Sequence, residues 1–413
     1  MPALCSAVVQ LAAGAKEASR MHQSPVDSSA LLEITVRPDV VFVSGQGSWL
    51  TDSQGKVYLD FIQGWAVNSL GHAPAVLARA IAEQAQRLIT PSPAYYSDKL
   101  LEFAGRLVAA TPVDKVFFTN SGAEAVEGAV KLARKWGQVH KNGAYEIITF
   151  RNAFHGRTLT CMAASGKAGW DALFEPKTPG FPKAVYNDLE SVARLVTDRT
   201  VAVMLEPVQG EGGVIPADDD FLRELRRFTQ ERGLLLILDE VQSGMGRTGK
   251  LFGHQHAGIV PDILTMGKGI GGGFPLAAMG CRAEVSCFAP GEQGGTYNGN
   301  ALACAAGLAV LETLLAPGFL DAVEAAGTYL RERLDPVAQG LGYGRVRGRG
   351  LLLALALGCD RAAAVVEGCR ERGLLVNNTR PDAIRLTPAL TVSQTEIDQC
   401  VAILGEALAA AAG

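Results

Sequence analysis

Leu234-Leu235-Leu236-Ile237-Leu238-Asp239-Glu240 is an apolar run that stops abruptly on two acids. Further on, Ile263-Leu264-Thr265-Met266-Gly267-Lys268-Gly269 repeats the design and stops on a lysine. Short apolar runs bounded by turn signals read as buried strands of a parallel sheet. Ligands of open α/β sheets bind beyond the carboxyl ends of such strands. The two runs therefore place Asp239 and Lys268 at two strand tips facing one crevice.

The surrounding pattern fits that reading. From Lys115 onward, strand candidates (Lys115–Thr119, Tyr145–Phe150, Thr200–Leu205, Leu234–Leu238, Asp262–Met266, Leu276–Met279) alternate with helical stretches such as Phe221–Arg232. Such alternation predicts an α/β fold with a doubly wound, mainly parallel sheet. Before it, residues 39–62 read as a small β meander, and Pro74–Leu88 as a helix with Val76, Ala80, Ile81, Ala85 and Leu88 on one face. Ala301–Leu315 reads as a long apolar helix. From Pro317 the pattern changes to helix, strands at Gly350–Leu357 and Ile384–Leu386, and a last helix at Thr395–Ala411. The expected organisation is a loose tail over residues 1–20, an N-terminal segment of a small domain over 21–70, a large domain over 71–315 and a small α+β domain over 316–413.

With 413 residues, 48% hydrophobic and 19% charged, the chain has the balance of a large globular protein. A net charge of −4 builds no field for a polyanion, so nucleic acid is an unexpected partner. The eight cysteines form no C-x-x-C pair and several lie in apolar runs, which points to reduced thiols in a cytoplasmic protein. His254-Gln255-His256 has no partner cluster nearby, and no metal is expected. No apolar run approaches the roughly 18 residues of a membrane span.

An acid and an amine at neighbouring strand tips suit a pyridoxal 5′-phosphate (PLP) site, where lysine forms a Schiff base and aspartate holds the pyridine nitrogen protonated. Other residues extend it. Ser121-Gly122-Ala123-Glu124 follows a strand and opens a helix, with Ser121 and Glu124 at capping-box spacing. The backbone N–H groups at such a helix start accept a phosphate. Alone this turn is as readily a plain cap; beside Lys268 and Asp239 the phosphate reading is the better one. In Phe154-His155-Gly156-Arg157 an aromatic can cover a flat ring and an arginine can grip a carboxylate. Arg385 interrupts an apolar strand and needs an anionic partner, which the sequence does not identify. Glu211, in Glu206-Pro207-Val208-Gln209-Gly210-Glu211-Gly212-Gly213, reads as a loop acid.

Two glycine-rich patterns are decoys. Gly267–Gly272 spells G-x-G-x-x-G, yet Gly273 and Pro275 deny it the helix that a dinucleotide site opens. Gly244–Lys250 spells a phosphate loop up to its lysine, after which Leu251 replaces the hydroxyl that holds magnesium.

In this order, from about Val36, the chain resembles the class III aminotransferases, PLP enzymes of fold type I that are typically homodimers, and within them the acetylornithine aminotransferase subfamily. The resemblance rests on Ala66–His72, Asn120–Glu124, Phe154–Thr158, Glu206–Gly213, Asp239–Gly244 and Gly295–Asn300. It implies that Lys268 bonds the cofactor and shuttles the proton, while Asp239 pairs with the ring nitrogen. Phe154 and Val241 would sandwich the ring, and Gln242 would reach its phenolic oxygen. Ser121, Gly122 and Ala123 would hold the phosphate with Thr296 of the other subunit. Arg157 would take the α-carboxylate of an acylated ornithine and Arg385 that of 2-oxoglutarate or glutamate, with Glu211 masking Arg385 in the first half-reaction. Gly295, where many relatives carry Ser or Thr, lies near the substrate, and Gly71-His72-Ala73-Pro74 lacks their second histidine. The expected reaction moves the δ-amine of N2-acetylornithine to 2-oxoglutarate, as in arginine biosynthesis. Another ω-aminotransferase (ornithine, succinylornithine or 4-aminobutyrate) and a same-fold aminomutase are the alternatives.

Overall fold

The computed structural model describes residues 26–170 and 172–412; the tail expected over residues 1–20 lies outside them. At its centre is a seven-stranded sheet ordered Lys115–Thr119, Ala277–Cys281, Ile263–Met266, Leu235–Glu240, Thr200–Leu205, Glu146–Phe150, Lys183–Ala184. Neighbours pair in parallel except at Ala277–Cys281, which runs antiparallel to both of its neighbours.

Strand periodicity explains why the central runs are apolar throughout. Leu236 and Leu238 point into the core on one face, and Leu235 and Ile237 into the core on the other. Ile148, Val203 and Leu205 share the first face; Ile147, Ala202 and Met204 share the second. Both faces are therefore covered, which is why no polar alternation survives. The second face is closed by the helix Gly122–His140 through Ala125, Val126, Ala129, Val130 and Ala133. The first is closed by Asp219–Glu231, through Phe221, Leu222, Leu225 and Phe228, and by Ala301–Leu314.

The structure shifts several expected boundaries. The strand expected over Leu234–Leu238 runs through Leu235–Glu240, so Asp239 lies within it, paired with Thr265, rather than beyond its tip. The helix expected to Leu88 ends at Ala85, where the Gln84 side chain donates to Leu88 O at 2.8 Å and closes the turn. Lys183–Ala184 was not anticipated, because two residues carry no periodic signal.

The meander Phe42–Gln46, Trp49–Asp52, Val57–Asp60 gains a fourth strand from the other end of the chain, Leu374–Leu375, parallel to Val57–Asp60. A further sheet, ordered Val346–Arg349, Leu352–Ala356, Ala383–Leu386, Asn377–Arg380, carries Arg385 opposite Ala354. Among the described residues no single helix is long and apolar enough to cross a membrane; one pair bent by 72°, Ala301–Leu314 with Phe319–Gly340, has the length and composition together.

Candidate active site

A cavity of about 250 Å³ opens where the central strands end. Its lining comes from five connections: Gly122 and Ala123, Phe154–Arg157, Glu206 with Val208 and Glu211, Asp239 with Val241 and Gln242, and Lys268. Strand ends far apart in sequence thus converge on one volume.

Asp239 is buried and fully engaged. Thr265 Oγ1 and the Val241 N–H donate to its Oδ1 at 3.0 and 3.1 Å, and His155 Nδ1 stands 2.7 Å from its Oδ2. A carboxylate offers only acceptors, so the Nδ1 of His155 carries the proton in this contact. These donors hold the acid in one orientation.

Lys268 follows Met266 by two residues and sits at φ 44°, a left-handed conformation that costs a non-glycine residue about 1–2 kcal/mol. Among the described residues no hydrogen bond or ion pair engages its amine. The side chain is half-buried and lines the cavity. Burial lowers its pKa below the usual lysine value, with Arg385 adding to the effect and Glu211, Asp239 and Glu206 opposing it. A desolvated, unpartnered amine is the form that attacks a carbonyl.

The helix start is shaped for close approach. Ser121 caps it, its Oγ accepting from Glu124 N at 3.3 Å. The Glu124 carboxylate returns to Asn120 N at 2.9 Å, one residue earlier than a simple capping box. Gly122 and Ala123 donate no backbone hydrogen bond among the described residues. A Cβ on Gly122 would lie 2.8 Å from Val241 Cγ1, so glycine there lets Val241 lean over the cavity.

At the other end, Arg385 is completely buried and donates from Nη1 to Glu211 Oε1 at 2.5 Å and to Gly210 O at 3.4 Å. Gln242 Oε1 is 3.5 Å from the same nitrogen. Burial pushes the Glu211 carboxyl up, but Arg385 and Lys268 outweigh it and hold the pKa below the usual value. Arg157, by contrast, is exposed, and among the described residues no carboxylate pairs with it.

The family model described as "Aminotransferase class-III" matches residues 34–408. The chain belongs to the class III aminotransferases. This aminotransferase is 56% identical over 387 residues to the acetylornithine aminotransferase of Ralstonia nicotianae, covering 92% of this chain and 96% of that protein. Among solved structures it is similar to the N-acetylornithine aminotransferase of Stenotrophomonas maltophilia, with TM-score 0.80, 35% identity and coverage of 93% and 98%. It is also similar to the ornithine aminotransferase of Toxoplasma gondii, with TM-score 0.89, 31% identity and coverage of 93% and 92%; that structure is described as holding PLP at partial occupancy in its active site.

The enzyme is PLP-dependent, as its family is, and its cavity fits the group. Gln242 Nε2 is buried with no partner among the described residues, a donor left for an oxygen of the ring. The free N–H groups at Gly122 and Ala123 suit a phosphate, and the engaged Asp239 suits a protonated ring nitrogen. Phe154 and Val241 both line the cavity, where they can cover a flat ring.

Gly295 and Thr296 are exposed and do not line this cavity. Their loop is tied back by Asn298 Oδ1, which accepts from Asn120 Nδ2 at 2.7 Å beside the helix start. A Cβ on Gly295 would fall 2.4 Å from the Asn298 amide, a local reason for glycine at that position. Sequence reading assigned no part to His155, Glu206 or Trp170. Glu206 accepts from Phe154 N at 3.1 Å, and burial, with the nearby Asp239, raises its pKa well above the usual value. Only the Glu206–Gly213 and Phe154–Arg157 motifs themselves hinted at the first two. His254 and His256 face separate partners, Glu240 and Thr248 O.

Proposed function

We propose that this enzyme transfers the δ-amino group of N2-acetyl-L-ornithine to 2-oxoglutarate, giving N-acetyl-L-glutamate 5-semialdehyde and L-glutamate, as a cytoplasmic step of arginine biosynthesis. The reading rests chiefly on one contact: Glu211 covers Arg385 at 2.5 Å while Arg157 stays open. One free guanidinium on the cavity wall, and a second buried behind the wall residue Glu211, suit an enzyme that must accept an ω-amine and then an α-keto acid. The name of the 56% identical relative supports the same substrate.

In this scheme Arg157 takes the donor's α-carboxylate in a two-pronged hydrogen bond, which leaves its terminal amine at Lys268. Glu211 prevents Arg385 from gripping that carboxylate and presenting the wrong end. For the second half-reaction Glu211 withdraws, and Arg385 takes the carboxylate next to the keto group of 2-oxoglutarate. Bound PLP supplies the electron sink. Asp239 keeps the proton on the ring nitrogen, and Lys268 Nζ moves the proton from the amine-bearing carbon of the substrate. Phe154 and Val241 would cover the ring, Gln242 would donate to its phenolic oxygen, and Ser121, Gly122 and Ala123 would hold the phosphate. Thr296 and Gly295 serve the neighbouring site in a homodimer, so a monomer is inactive.

A second reading, direct use of ornithine, is favoured by the fold's similarity to an ornithine aminotransferase at TM-score 0.89. Measuring kcat/KM for acetylornithine, succinylornithine, ornithine and 4-aminobutyrate, with 2-oxoglutarate as acceptor, decides between them. Acetylornithine is expected to lead. A clear lead for 4-aminobutyrate or ornithine overturns the assignment, and failure to release glutamate overturns amino transfer to 2-oxoglutarate.

A further inference from the structure

Trp170 is a large buried aromatic packed against two residues of the cavity wall, Phe154 and Arg157, and the scheme above leaves it without a role. It is 8% exposed although it lies outside helix and strand. Local bonds hold its backbone: its N–H donates to Lys167 O at 3.2 Å, and its carbonyl accepts from Leu173 N at 3.1 Å and from the Lys177 ammonium. Its indole meets the Phe154 ring at 5.8 Å and 60°, an edge-to-face contact. The Arg157 guanidinium carbon stands 5.0 Å from the Trp170 ring and 5.8 Å from the Phe154 ring. Lys167 Nζ also lies 5.4 Å from the indole.

We propose that Trp170 is a positioning residue: its indole holds the exposed Arg157 side chain in the pose that receives the donor's carboxylate, and so sets the preference for carboxylate-bearing amines. This rests on the reading of Arg157 as the donor-carboxylate group.

The physical need is plain. A free arginine carries about 2 kcal/mol of rotamer entropy, and the part lost on binding weakens the complex. An aromatic face attracts the guanidinium by its quadrupole and leaves the N–H edges open for a two-pronged grip on a carboxylate. An acidic partner would orient the arginine too, but it would compete with the substrate. An indole does not compete. The same ring meets Phe154 edge to face, which fixes the indole beside Arg157.

The test uses the PLP-loaded enzyme and an unreactive ligand, 2-acetamidopentanoate, which has the acyl group and carboxylate of acetylornithine but no terminal amine. Its uncharged primary amide is the control, and dissociation constants are measured by calorimetry. Wild type is expected to prefer the acid by at least tenfold. Trp170→Leu and Trp170→Met, which differ in shape so that either folded variant decides, are expected to reduce that preference about tenfold by weakening the acid alone. Trp170→Phe is expected to stay within about threefold of wild type. In turnover, the aromatic-free variants should raise KM for acetylornithine with kcat little changed. If Trp170→Leu or Trp170→Met weakens acid and amide alike, or neither, the positioning role is wrong while the Arg157 assignment stands. If wild type itself does not distinguish acid from amide, both fall.

Discussion

His155 Nδ1 lies 2.7 Å from Asp239 Oδ2, with both side chains buried and 84 positions apart in the chain. The acid that faces the cavity is thus oriented by a residue from a different strand connection. Hydrogen bonds to charged groups contribute about 1.5–3 kcal/mol, so His155→Leu should lower kcat/KM roughly 10- to 100-fold. His155→Asn, whose amide nitrogen can take the place of Nδ1, should recover most of the loss. Equal loss in both variants would mean that ring bulk, not the bond, is what matters.

Glu211→Gln should lower the discrimination between ω- and α-amines. Removing the charge leaves Arg385 open, so glutamate as donor should gain on acetylornithine by about tenfold in relative kcat/KM, the change that 1.4 kcal/mol makes. An unchanged ratio would remove the masking role.

The same pair makes a pH statement. Because the folded pKa of Glu211 lies below its usual value of 4.5, its stabilising contribution is complete above that value and is lost as pH falls through the lower folded one. Melting temperatures of wild type and Glu211→Gln should therefore converge in acid and separate toward neutral pH, with wild type the more stable.

Glu206 behaves in the opposite sense. Its folded pKa is raised well above 4.5, so the native state holds that proton more tightly than the unfolded chain and loses stability as pH rises from 4.5 through the raised value. Glu206→Gln keeps an acceptor for Phe154 N and carries no charge. Its melting temperature should match wild type in acid and exceed it at high pH; a gap that does not vary with pH would contradict the burial argument.

Gly122→Ala should fail for reasons of space. The added Cβ falls 2.8 Å from Val241 Cγ1, and overpacking of this kind costs about 1–3 kcal/mol. Combining it with Val241→Ala should return much of the melting temperature but not the activity, since Val241 also walls the cavity. Additive losses in the double variant would argue that the two side chains are not in conflict.

Lys268→Ala should abolish transfer, by at least about 10³-fold if proton movement and covalent bonding both depend on this amine. Without PLP, it should melt no lower than wild type, because burial already disfavours the ammonium and no hydrogen bond among the described residues is lost. A clear drop in melting temperature would show that the amine has a structural partner.

The central strands were legible because burial on both faces leaves an unbroken apolar run, and Leu234–Leu238 and Thr200–Leu205 carry that signal in the chain itself. Lys183–Ala184 and the pairing of Leu374–Leu375 with Val57–Asp60 were not legible, since short strands are defined by their neighbours rather than by their composition. Arg385 announced itself as a charge inside an apolar strand. That Glu211, 174 positions away, answers it is a fact of three dimensions.

What the amino-acid order determined alone was local: which runs are strands, which turn opens a helix at Ser121, and which acid and amine stand near the carboxyl ends of two strands, Asp239 and Lys268. Periodicity and capping act over a few residues, and a linear reading reaches that far. Folding decided the rest, because only the packed sheet sets distances between connections. It brought His155 to Asp239, laid Trp170 against Arg157 and closed Glu211 over Arg385, contacts whose energies depend on burial that no single segment provides.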